Sequence, residues 1–140
     1  MSQPAAATVL VVEDEFAALE VMALLLEAHG YRALMAADGQ EAMETLLREP
    51  VELVITDYMM PRMNGVALCK AMNREEKLQH IPVIMISANR PQEVGPAPQV
   101  VAFFGKPLLF DDLKAAVQRL IGPGARADGA AANSDQSTPK

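Results

Sequence analysis

Four places in the sequence offer side chains with reactive chemistry: the acidic run Glu13-Asp14-Glu15, Asp57, Ser87, and the pair Lys106-Pro107. Each follows a short apolar run, so each stands at the end of an expected strand. A carboxylate in such a place can attack phosphorus and form an aspartyl phosphate. The attack requires charge on the incoming phosphoryl oxygens to be neutralised, which a metal ion and a lysine can do together. A hydroxyl can donate to one further oxygen. Carboxylate donors favour a hard cation, so Mg2+ is the expected metal. Other chemistries are excluded by the same residues. A dinucleotide site needs glycines after the first strand, where this chain has Glu-Asp-Glu, and no Walker-type Gly-Lys-Ser/Thr loop is present. Zinc would need clustered Cys and His, but Cys69, His29 and His80 are far apart.

The elements that must position these groups follow from the apolar pattern. Val9–Val12, Tyr31–Ala36, Val51–Thr56, Pro82–Ile86 and Val100–Phe104 read as strands, most of them apolar on consecutive positions. Phe16, Leu19, Met22, Ala23 and Leu26 recur at helical spacing, and Gly30 supplies a left-handed stop. Asp38 with Glu41 forms a capping-box pattern for a helix bearing Ala42, Met43, Leu46 and Leu47, closed by Pro50. Gly65–Asn73 is a short helix, and Leu113, Ala116, Val117, Leu120 and Ile121 mark the last one, with Asp111 and Asp112 at its start and Gly122-Pro123-Gly124 at its end. Strands apolar on both faces belong in a parallel sheet between helix layers. The expected fold is therefore a doubly wound α/β/α domain of five parallel strands, with its ligands beyond the strand carboxyl ends.

Composition bounds the remaining possibilities. The chain has 140 residues, is 51% apolar, and carries a formal charge of −6. That acidity disfavours partners held by their phosphates, whether nucleic acid or an anionic membrane surface. No apolar stretch approaches the ~20 residues of a bilayer span. One cysteine, Cys69, permits no internal disulfide, which fits a reducing compartment. The reading is one soluble cytoplasmic domain over 8–121, with a flexible 1–7 and a disordered tail over 122–140.

The stretches Val11-Val12-Glu13-Asp14-Glu15, Ile55-Thr56-Asp57-Tyr58-Met59-Met60-Pro61-Arg62-Met63-Asn64-Gly65, Ile86-Ser87-Ala88 and Lys106-Pro107-Leu108 resemble the receiver domain of two-component response regulators. The similarity extends over roughly residues 8–121. It implies a flavodoxin-like strand order of 2-1-3-4-5. It implies that Asp57 accepts a phosphoryl group from a sensor histidine kinase or a histidine phosphotransfer protein. Glu13, Asp14, Asp57 and the Met59 backbone carbonyl would hold Mg2+, and Ser87 and Lys106 would bind the phosphate. Phe103 matches the switch aromatic, and Pro107 would follow a cis bond. Output would pass to an unknown protein target, with no nucleic acid or membrane involved, and a monomer is expected. With no output domain expected after residue 121, the resemblance is to the stand-alone type.

Plainer readings stand beside these. Asp14 and Ser87 could each cap a helix, and Glu15 reads as a first-turn helix carboxylate. The nine methionines read as core filling, Tyr58, Met59 and Met60 as loop packing, and Cys69 as a core residue; neither histidine reads as a relay. Two rival functions come from other classes. An aspartyl-nucleophile phosphatase commonly has a second Asp two residues on as general acid; here that position is Met59. A phosphorylation-independent scaffold would have no need of the complete site set. The chain departs from the family between Ser87 and Lys106, an interval of 19 residues, short by nearly one helical turn of about 3.6 residues. Pro91, Gly95, Pro96 and Pro98 crowd it, so the fourth helix of the family is expected to be shortened or replaced by a loop over 88–99.

Overall fold

The computed structural model describes residues 6–60, 63–88 and 99–124. Five parallel strands, β1 (Thr8–Val12), β2 (Arg32–Ala36), β3 (Leu53–Asp57), β4 (Val83–Ser87) and β5 (Val100–Gly105), form one sheet in the order β2-β1-β3-β4-β5. The expected topology is the observed one. Helices α1 (Phe16–Ala28), α2 (Gly39–Arg48), α3 (Gly65–Asn73) and α4 (Phe110–Ile121) complete the layers among the described residues. The expected loss of a helix over 88–99 falls almost wholly on residues outside the described ones.

Alternation along each strand divides the core in two. Leu10, Val12, Val54, Val83 and Met85 pack on one face with Leu46 of α2 and Leu68 and Met72 of α3. Val9, Val11, Leu53, Ile55, Ile84 and Ile86 pack on the other with Leu19 and Leu26 of α1 and Leu113 and Val117 of α4. β1, β3 and β4 are buried at every residue, which explains their uninterrupted apolar runs.

Several local expectations need correction. The N-cap of α1 is Glu15, whose side chain accepts from the Ala18 N–H; Asp14 does not cap it. In α2 the Asp38 carboxylate accepts from the Glu41 N–H at 2.9 Å as a cap should, but Glu41 reaches back to the Ala37 N–H at 2.8 Å. Phe16, on the expected core face of α1, is 64% exposed, because it is the first helical residue and lies past the end of β1. Leu47 is likewise exposed. Not every methionine fills the core either: Met35 lies exposed on edge strand β2, and Met59 is 62% exposed. Cys69 is buried, and burial pushes its thiol up to about 11.

The amino edge of the sheet is closed by paired polar groups. The Thr8 N–H donates to Glu52, and Gln99 Nε2 donates to the carbonyls of Leu78 at 3.0 Å and Ile81 at 3.3 Å. The Tyr31 hydroxyl donates to the Gly122 carbonyl at 2.6 Å. Beyond α4, Gly124 lies so close to the α1–β2 turn that a Cβ there would collide with the His29 carbonyl oxygen. Gly122, just after α4, has φ +85, a left-handed conformation that favours glycine.

Candidate functional site

The sheet register gathers the reactive groups at the opposite edge. Val12 pairs with Thr56, Asp57 with Ile86, and Ser87 with Gly105. Glu13, Asp57, Ser87 and Lys106 therefore stand side by side along the carboxyl ends of β1, β3, β4 and β5. Asp57 and Ser87 are the last residues of their strands, one position further in than the apolar runs suggest. The ladder continues past them through the Tyr58 N–H to the Ile86 carbonyl and the Lys106 N–H to the Ser87 carbonyl.

The described ends of the loop after Asp57 are tied together. The Gly65 N–H donates to the Tyr58 carbonyl at 2.9 Å. A Cβ on Gly65 would come within 2.8 Å of the Asp57 carbonyl oxygen, so a side chain there would push the loop off Asp57. Asn64 caps α3 by accepting from the Ala67 N–H. Met60 is buried in the α2/α3 core, and Tyr58 packs partly against it; Met59 points away from that packing, so the packing reading holds for two of the three.

One oxygen each of Glu13, Asp14 and Asp57 lie within 4.8 Å of one another. Glu13 and Asp57 are buried and Asp14 is exposed, so the cluster is open on one side. Lys106 Nζ donates to Asp57 Oδ2 at 3.2 Å and to Glu13 Oε1 at 3.4 Å. The other Glu13 oxygen accepts from the Glu15 N–H. Burial, helped by the charge of Asp57, raises the Glu13 carboxyl above its ordinary range against the hydrogen bond from the Glu15 N–H and the pull of Lys106. Burial opposes the Lys106 ammonium, but Asp57 and Glu13 together outweigh it and raise its pKa. Among the described residues, a single ammonium thus serves more carboxylates than it can neutralise. The surplus of hard oxygen donors, with one open side, fits Mg2+.

Ser87 is fully buried beside this cluster. The Lys106–Pro107 bond is cis. On β5, Phe104 packs into the α1/α4 core while Phe103 is 37% exposed, as alternation requires. Cys69, His29 and His80 lie on separate elements. Gln99 and Gly124, which hold the amino edge, gave no local sequence signal; their partners are remote in sequence or backbone atoms.

Comparison with known proteins gives the family of the chain. Residues 9–118 match the response regulator receiver domain, and the chain belongs to that family. It is 34% identical over 124 residues to the phosphate regulon transcriptional regulatory protein PhoB of Pseudomonas aeruginosa, covering 84% of this chain and 54% of that protein. It is 41% identical over 81 residues to the response regulator GtcR of Aneurinibacillus migulanus, covering 58% and 32%. The chain thus matches about half or less of the length of these curated relatives. Among solved structures, the receiver domain of a signal transduction histidine kinase from Syntrophus aciditrophicus superposes with a TM-score of 0.74 at 30% identity, covering 82% of this chain and 89% of that one. The response regulator TrrA of Thermotoga maritima, in complex with Mg2+ and BeF, gives 0.74 at 26% identity, covering 82% and 99%. Among the described residues, no helix is long and apolar enough to cross a membrane.

Proposed function

We propose that Asp57 is the phosphoacceptor of a two-component phosphorelay, taking its phosphoryl group from a phosphohistidine on a sensor kinase or phosphotransfer protein. The observation that carries this is a buried Asp57 carboxylate paired with Lys106 at 3.2 Å and clustered with Glu13 and Asp14. An Asp57 carboxylate oxygen attacks phosphorus, the P–N bond breaks, and its electron pair leaves on the donor imidazole. Lys106 follows the negative charge onto the phosphoryl oxygens, and the Ser87 hydroxyl donates to another of them. Glu13, Asp14, Asp57 and the Met59 carbonyl would hold Mg2+, which when bound supplies positive charge against the same oxygens. Phe103, on the solvent side of β5, is the switch aromatic that reports the change to a protein target.

Chemistry ends at the acyl phosphate and its hydrolysis, so the chain acts on no separate substrate. Its acidity and single buried thiol suit a reducing cytoplasm without nucleic-acid or membrane contact, and as a monomer. The test is acid-labile labelling by acetyl phosphate with Mg2+, together with a beryllofluoride titration. A chain that neither labels nor responds to beryllofluoride would be a scaffold with an idle site.

A further inference from the structure

Between α1 and the segment Pro107–Phe110 lies a cavity of about 550 Å³ that runs from the helix surface to the acidic cluster. Its volume is within the range of small-molecule sites, which are apolar with a few convergent polar groups. Ala18, Val21, Met22 and Leu25 line it from α1, and Leu108 and Phe110 from the other side. The space exists because two consecutive small residues, Ala17 and Ala18, occupy the first turn of α1 where larger side chains would close it. Among the described residues, its charged lining is Glu13, Glu15 and Asp57 against Lys106.

We propose that this cavity binds a small amphiphilic cation: a primary amine carried on a short alkyl or single-ring body. The charge balance selects the head group. Lys106 already donates to Glu13 and Asp57, so an anionic head would have to break those pairs and meet the remaining carboxylates. A neutral head gains no ion pair. A primary ammonium brings three donors and no acceptor, which matches a wall of carboxylate oxygens, while its body covers apolar side chains of α1. The ammonium and a divalent cation need the same Glu13 and Asp57 oxygens, so the two bind in competition, and the amine holds the metal-free form.

The probes are 4-phenylbutylamine, 4-phenylbutanol and 4-phenylbutyrate, titrated into the full chain without metal while the methyl resonances of Val21, Met22 and Leu25 are followed. The amine shifts these methyls saturably, and the alcohol binds at least about tenfold more weakly, the factor of one charge-assisted hydrogen bond. The carboxylate binds more weakly still. Ala18→Phe, at an exposed position that fills the cavity, abolishes the shifts, and Mg2+ displaces the amine. Equal affinity for the three probes, shifts confined to other methyls, or full binding in Ala18→Phe overturns the proposal. Acetyl phosphate labelling of Asp57, run without any probe, judges the phosphoacceptor reading separately, so either can fail while the other stands.

Discussion

The two edges of the sheet treat polar atoms in opposite ways. At the amino edge polar groups find partners of suitable kind: Gln99 with two carbonyls, Tyr31 with Gly122, Thr8 with Glu52, and Arg32 with Glu49 at 3.1 Å. At the carboxyl edge Glu13, Asp14 and Asp57 crowd together, and among the described residues Lys106 pairs with two of them. The first edge is built for stability. The second keeps like charges close at a cost in stability, a pattern characteristic of functional sites.

The sharpest way to break this contrast is Asp57→Asn. It should eliminate acid-labile phosphorylation while the protein still folds; normal labelling of the variant would remove Asp57 from the role. Asp14→Asn should weaken Mg2+ binding by more than about tenfold, since even indirect support of a metal ligand is commonly worth that much. In the same variant the metal-free melting temperature should hold or rise, because one repelling charge is gone; a melting point that falls would show Asp14 to be structural.

The amino edge should answer in the reverse sense. Gln99→Ala strips the donor from two carbonyls, and its expected cost is about 1–3 kcal/mol by denaturant unfolding, with phosphorylation unchanged. Tyr31→Phe removes one hydrogen bond and should cost about 1 kcal/mol. An amino-edge variant that stabilised the protein would contradict the division of labour between the edges.

Cys69 sharpens the picture from the interior. Its folded pKa of about 11 lies above the 9.0 of an unburied thiol. Between those values the folded chain keeps a proton that the unfolded chain releases, so stability falls as pH rises, by at most about 1.4 kcal/mol per pH unit from this group. Cys69→Ala should flatten that decline, as followed by melting curves across the alkaline range. An identical decline in the variant would assign it to other groups, Lys106 among them.

The sheet and its edge chemistry were legible because β1, β3 and β4 are buried on both faces, which leaves continuous apolar runs ending abruptly in Glu13, Asp57 and Ser87. The resemblance supplied the strand order and the residue roles; periodicity alone would not have ordered the strands. The outward side of α1 was misjudged because Phe16 repeats the helical spacing of Leu19 and Ala23 but has no sheet beneath it. The choice of Glu15 over Asp14 as cap depends on where the chain leaves β1, which adjacent acidic residues cannot reveal. The pairings of Gln99 and the close approach of Gly124 are tertiary contacts, invisible to any local pattern.

The close seat of Gly124 against His29 has an architectural consequence. Because β1 starts and α4 finishes at the amino edge, the polypeptide enters and leaves the domain on one side. Asp57 lies a strand length away, roughly 16 Å for five residues at about 3.3 Å each. A polypeptide joined at either end would therefore meet the domain on the side away from its reactive rim. Gly124, where no side chain fits, fixes the path by which the chain leaves the domain, three residues beyond the end of α4.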